Sequence, residues 1–257
     1  MTTQGLVDPT EMYLRTIFEL EEEGVVPLRA RIAERVRQSR PTVSQTVARM
    51  QRDGLVRLAS DRRLVMTGPG RRRAVRVMRK HRLAECLLAD VIGLRWEDVH
   101  VEASRWQHVM SDAVESRLTE VLGHPAMCPH GSPIPTGEES GTEPAALRTL
   151  TDAATTEERP VVVVRIGELP QNDPLTLAHL KRAGIRPDRQ VAVVATENGV
   201  RVTGESGAAV TGEDGRRGRG EGGTPGTGTG RATLPRELSD HIFVDIPDGA
   251  PQGEELR

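Results

Sequence analysis

Between Thr10 and Thr67 the hydrophobic pattern changes period in a way that few folds accommodate. In TEMYLRTIFELEEE (10–23) apolar residues stand at 12, 13, 14, 17, 18 and 20, which is helical spacing. Thr10 is placed to cap that helix and Gly24 to close it. LRARIAERV (28–36) predicts a short second helix. Gln38-Ser39-Arg40-Pro41 interrupts the chain, and PTVSQTVARMQRD (41–53) predicts a third, with Ser39 or Arg40 at its cap, Pro41 in its first turn and Gly54 at its end. LVRLA (55–59) and RLVMT (63–67) alternate around Ser60-Asp61-Arg62, the mark of a β-hairpin. Helix, helix, helix, hairpin predicts a winged helix-turn-helix over 1–67, its third helix suited to the major groove. A helical-bundle cap or a protein-binding winged helix would share the layout.

Charge separates these readings. The whole chain of 257 residues carries a net charge of only −2. From Arg29 to Lys80, however, 16 basic residues face Glu34, Asp53 and Asp61, a local charge of +13, so the remainder carries −15. A basic block lying on the winged-helix elements points to duplex DNA rather than to a solvated surface. Cys86 and Cys128 are too few for a disulfide framework. No apolar run approaches the roughly 18 residues that a bilayer span needs. A cytoplasmic protein without a membrane partner is the expectation.

Beyond the hairpin, GRRRAVRVMRKHRLAECLLADVI predicts a long helix over 70–92, closed by Gly93, and a second is expected from about Trp96 to Leu122, closed by Gly123. Their apolar positions exceed what one helical pair buries, which points to a homodimer interface within a helical dimerisation and metal-binding domain at 68–135. Residues 136–159 read as a polar tether. PVVVVRIGEL, QVAVVATENGVRV and HIFVDI read as strands and DPLTLAHLKRAG as a helix, forming a small β module over 160–246. The Gly/Thr-rich segment 204–230 inside it is expected to be disordered, and 247–257 to be a tail. The fold class expected is therefore α+β.

The stretch HVEASRWQH (100–108) carries His100, Ser104 and His108 at every fourth position, with Gln107 beside them. His81 and Glu85 share a face of the preceding helix. Facing helices with such stripes can assemble a metal site. Spacing alone leaves open whether these imidazoles ligate or merely pack.

EMYLRTIFELEEEGVVPLRARIAERVRQSRPTVSQTVARMQRDGLV, with MRKHRLAE, ASRWQHVMSDAVE and CPHGSPIP, resembles the diphtheria toxin repressor family of iron-dependent regulators over roughly residues 6–135. The C-terminal module, with its GELPQ, resembles the family's SH3-like small β-barrel. The insertion at 204–230 departs from that pattern. The resemblance implies a metal-dependent transcriptional repressor, not an enzyme, in which Fe(II) or Mn(II) activates a homodimer for a palindromic operator. It implies an ancillary metal site at His81, Glu85, His100, Glu168 and Gln171, all ligand-competent here. It implies a primary site at Met12, Ser104, Gln107 and His108, whose metal pins the first helix, through Met12, to the second long helix. Met12 is a soft thioether of the iron type.

At two primary positions this chain departs from the iron-responsive pattern, which usually has Cys and Glu where Ser104 and Gln107 stand. A hydroxyl and a carboxamide are neutral. Next to a dication, each missing negative charge removes an attraction of about 4 kcal/mol for each unit of the ion's charge at 4 Å and an effective dielectric of 20, less the desolvation no longer needed. A weakened primary site is the expectation. A DNA-binding regulator that has lost metal control, or answers another effector, is the alternative.

For DNA, Ser39, Thr42, Ser44 and Arg49, with Arg29, Arg52 and Arg62 from neighbouring elements, are expected on phosphates. Gln45 is placed for a base edge and Pro41 for thymine methyls. Arg40 stands where the family commonly has Gly.

Overall fold

The computed structural model describes residues 9–136, 147–206 and 228–247. These fall into two units. The N-terminal unit comprises the described parts of Met1–Leu87, Glu102–Ala126 and Pro133–Ala145; the C-terminal unit comprises those of Leu88–Val101, Met127–Ser132 and Ala146–Arg257.

In the N-terminal unit, α1 (Pro9–Glu22) begins at the proline, whose fixed φ suits a first turn. Tyr13, Leu14, Ile17, Phe18 and Leu20 of α1 are buried, and Gly24, at φ 69°, ends it. After α2 (Arg29–Arg35), Ser39 caps α3 (Arg40–Arg52) by accepting from the Thr42 backbone N–H at 3.3 Å. Val43, Val47 and Met50 turn one face of α3 into the core shared with α1. The hairpin pairs β1 (Val56–Leu58) with β2 (Leu64–Met66), with Arg57 opposite Val65. The expected three helices and hairpin are thus observed.

Thr67 caps α4 (Gly68–Cys86). Gly70 is required there, since a Cβ would lie 2.0 Å from the Leu55 carbonyl oxygen. The long helix expected over 70–92 keeps its end at Gly93 but changes winding, its last turn, Leu87–Val91, being π-helical. The second long helix, expected unbroken from Trp96 to Leu122, is two helices, α5 (Val99–Trp106) and α6 (Asp112–Val121). Ser111 causes the break. Its backbone is extended and its hydroxyl caps α6 at the Val114 N–H. The freed Met110 carbonyl accepts from Lys80 Nζ at 2.7 Å. His108 therefore lies in a turn beyond α5 rather than on its stripe.

In the C-terminal unit, β3 (Arg148–Thr149) and α7 (Leu150–Ala153) precede β4 (Arg159–Ile166), α8 (Glu168–Gln171) and α9 (Pro174–Arg182). There follow β5 (Arg189–Thr196), β6 (Gly199–Ser206), β7 (Gly228–Leu234), α10 (Arg236–Ser239) and β8 (Ile242–Asp245). The strands form one antiparallel sheet in the order β3-β8-β4-β5-β6-β7, running from one edge to the other rather than closing on itself.

Two expectations change here. The polar tether at 136–159 is structured in its second half, because Leu150 and Ala153 are fully buried in this unit's core. The insertion expected to be disordered over 204–230 is β-paired at both ends, with Gly204 opposite Gly230 and Ser206 opposite Gly228. Glycine allows this, since a Cβ on Gly230 would stand 2.3 Å from the Arg182 carbonyl oxygen. The middle of that insertion and the tail expectation from 248 onward lie outside the described residues.

Candidate metal centre and nucleic-acid interface

Two of the expected primary-site residues, Ser104 and Gln107, gather around a cation that the protein itself supplies. Arg15, on α1 one turn after Met12, is buried and reaches α5. Its Nη1 donates to Ser104 Oγ at 3.1 Å and to Gln107 Oε1 at 3.0 Å, and stands 3.3 Å from His81 Nδ1. A guanidinium has no acceptor, so His81 Nδ1 accepts and the ring proton sits on Nε2, 3.1 Å from Glu85 Oε1. Glu19, one turn further along α1, holds Arg15 Nε.

Gln107 extends the network. Its Nε2 can only donate, so His108 Nε2 accepts from it at 2.8 Å, and His108 Nδ1 donates to Glu11 Oε2 at 2.8 Å. The result is a continuous relay, Glu11–His108–Gln107–Arg15–Ser104, that begins and ends between α1 and the α5 region. Glu11 titrates below the ordinary carboxylate range. The His108 hydrogen bond is the main cause, burial opposes it, and the Arg73 guanidinium adds to it. Met12, half-buried, packs against the N-terminal core.

These residues do not fit a dication at the primary position. The oxygens of Ser104 and Gln107 are neutral and already accept from Arg15, while the accepting nitrogen of His108 is satisfied by an amide. A carboxylate at 107, as in the iron-type pattern, could not donate to that nitrogen. Sequence reasoning missed Arg15 and Glu11. The available signal was their placement on either side of Met12, within one turn of α1.

The ancillary residues are a different case. In the N-terminal unit, His81 and Glu85 are paired and buried on α4. In the C-terminal unit, His100 Nδ1 lies 3.5 Å from Glu168 Oε2, and α8 presents Glu168 and Gln171, both buried. Gln171 Nε2 donates to the Ile166 carbonyl, but its Oε1 is buried and has no hydrogen-bond partner among the described residues. An unspent carbonyl oxygen on the same helical turn as Glu168, whose carboxylate faces the His100 imidazole, belongs to a donor set that suits a first-row divalent ion.

On α3 the face opposite the core is open. Arg40, Pro41, Thr42, Ser44, Gln45, Arg49 and Arg52 are all exposed. Ser39 is partly committed, its hydroxyl 2.8 Å from that of Thr42. Arg49 Nη2 also donates to Thr10 Oγ1 of α1, at 3.2 Å. Arg62 sits exposed at the hairpin turn with φ 67°, and Arg29 is half-buried at the start of α2. Every residue expected on DNA, except Arg29, is therefore exposed.

A winged helix-turn-helix with an exposed basic recognition helix, in a chain that also carries buried imidazole and carboxylate donors, defines a DNA-binding regulator built around a cation. The chain belongs to the iron-dependent repressor family. The model for that family's N-terminal DNA binding domain matches residues 5–64, and the model for its metal binding and dimerisation domain matches residues 67–136. The chain is 56% identical over 200 residues to the iron-dependent repressor IdeR of Mycobacterium tuberculosis, covering 76% of this chain and 87% of that protein. It is 55% identical over 204 residues to the diphtheria toxin repressor of Corynebacterium diphtheriae, covering 78% and 90%. Among solved structures it is similar to T. acidophilum IdeR, with a TM-score of 0.68 and 26% identity over 94% of this chain and 99% of that one. It is also similar to a manganese-dependent transcriptional repressor in complex with manganese, with a TM-score of 0.71 and 25% identity over 93% and 100%.

Proposed function

We propose that this chain is a homodimeric repressor of duplex operator DNA whose metal response rests on the ancillary donors, its primary position being closed by Arg15. The observation that carries this reading is the Arg15 Nη1 bond to both Ser104 Oγ and Gln107 Oε1, at 3.1 and 3.0 Å. Within the C-terminal unit, His100, Glu168 and Gln171 would hold Fe(II) or Mn(II), which there would supply a charge that ties the imidazole and the carboxylate together, while His81, whose Nδ1 accepts from Arg15, stays paired with Glu85 in the N-terminal unit. No step passes through Met12, Ser104, Gln107 and His108 as ligands.

Dimerisation is supported by α6, where Val114 and Val121, seven residues apart, are 54% and 57% exposed. The C-terminal module is read as SH3-like on the strength of its short antiparallel strands and the register shift in β4 between Val163 and Arg165, a device that bends sheets. No helix among the described residues is long and apolar enough to cross a membrane.

Operator binding tests the DNA reading directly, using a duplex selected by the protein from a randomised pool. Gln45→Ala is expected to lower affinity for that duplex by about 1–3 kcal/mol and to relax base preference at one position per half-site. Arg52→Ala is expected to weaken all duplexes alike and to reduce the salt slope by about 0.9 for each phosphate the guanidinium neutralises. A Gln45 variant with unchanged sequence preference would remove α3 from the major groove.

A further inference from the structure

The loop Met127–Ser132 of the C-terminal unit holds a thiol and an imidazole that belong to neither the relay nor the ancillary set. Cys128 is 6% exposed and His130 fully buried. Cys128 Sγ and a His130 ring nitrogen lie within 4.8 Å of each other. The loop is rigidly built. The Cys128 N–H donates to the Ser132 carbonyl and the Gly131 N–H to the Cys128 carbonyl, both at 2.9 Å, closing a turn whose second residue is Pro129. Gly131 is obligatory, with φ 83° and a would-be Cβ only 2.0 Å from the Val164 carbonyl oxygen. The loop is pinned to β4 by the Ile166 N–H, which donates to the His130 carbonyl at 2.9 Å, and to Trp96, whose Nε1 donates to the Pro129 carbonyl at 2.9 Å. The Trp96 ring lies 4.9 Å from the His130 ring, and the His100 ring lies 6.3 Å from it at near right angles.

We infer that Cys128 and His130 form a thiol–imidazole pair that binds a thiophilic divalent ion, Zn(II), Co(II) or Fe(II) in class. A soft thiolate beside an imidazole is the donor combination that selects such ions over Mg(II) or Ca(II). Two donors on a loop this constrained lose little conformational freedom on binding. On binding, the Cys128 S–H bond breaks, the sulfur keeps the electron pair and donates it to the ion, and the proton leaves to solvent. No redox partner is needed. The family's iron-type pattern places a cysteine at the position of Ser104; this chain has its cysteines at 86 and 128.

The site is independent of the operator-binding reading, and its test needs no DNA. Metal-free full-length protein is titrated with Co(II) while the sulfur-to-cobalt charge-transfer absorption is followed. With only Cys86 and Cys128 in the chain, the source of the band is readily assigned. A saturable band is expected in the unaltered protein and in Cys86→Ser, and none in Cys128→Ser. His130→Gln is expected to weaken Co(II) binding at least about tenfold, the loss of one good ligand. No band at saturating Co(II) in the unaltered protein overturns the assignment, whatever the variants do. A band that survives Cys128→Ser, or that disappears in Cys86→Ser, overturns it as well.

Discussion

Arg15→Ala is expected to lower operator affinity on the order of a hundredfold, about 2.7 kcal/mol, and to do so equally in chelator and in Mn(II). The side chain makes hydrogen bonds from a charged donor to Ser104 and Gln107 and approaches His81. Each such bond is worth about 1.5–3 kcal/mol, and bonds within one network do not add. Removing the guanidinium takes this donor from Gln107 Oε1 and His81 Nδ1 in a buried setting and removes the α1 hydrogen bonds to Ser104 and Gln107. Because Arg49 of α3 bonds to Thr10 of α1, and Val43 and Val47 share a core with Ile17, the recognition helix moves with α1. Met12→Ala, by contrast, removes a half-buried thioether from the core edge and is expected to leave the metal response unchanged. Fluorescence anisotropy on the selected duplex reads both. Metal-dependent rescue of Arg15→Ala would return the pinning role to a metal.

Replacing the relay by iron-type donors is the second large effect. The double variant Ser104→Cys/Gln107→Glu supplies two anionic donors and cannot complete the bond from residue 107 to His108 Nε2. It is expected to bind one further equivalent of Co(II) per chain. Affinity at that position is expected to rise by at least about a hundredfold, a gain of about 2.7 kcal/mol. That is well below the Coulomb attraction of about 4 kcal/mol per pair of unit charges at 4 Å and an effective dielectric of 20, because Arg15 also pairs with the new carboxylate and must be displaced. Isothermal titration calorimetry gives the stoichiometry. An unchanged metal count in the double variant would mean that neutral donors are not what closes the position.

The sequence was most legible where local rules act alone. Ser39, Pro41 and Gly54 bound the recognition helix, and the periodicity of Val43, Val47 and Met50 names its buried face. The break in the second long helix was hidden because the residues from Trp96 to Leu122 keep a plausible apolar pattern across it. Only a Ser111 cap and a Lys80 bond, from a residue 30 positions earlier in the chain, expose it. Leu150 and Ala153 read as tether because the apolar positions are too sparse to show periodicity, although tertiary burial orders them. The relay was the least legible element. Arg15 looks like a solvated charge on an amphipathic helix, and its partners outside α1 stand 66 to 92 residues away. Ser104 and Gln107 were recognised as neutral replacements, but that Gln107 both accepts from Arg15 and donates to His108 emerges only once α1 and α5 are in contact.

Hydrogen exchange along α1 tests the metal-free fastening most directly, because backbone protection reports whether the helix is held, whatever holds it. The amides from Tyr13 to Leu20 would be compared in strong chelator and in saturating Mn(II). Fastening by Arg15 predicts protection that agrees within about threefold, under about 0.7 kcal/mol, between the two conditions and collapses in Arg15→Ala in both. Amides that exchange freely in chelator and become protected only when Mn(II) is added would contradict it.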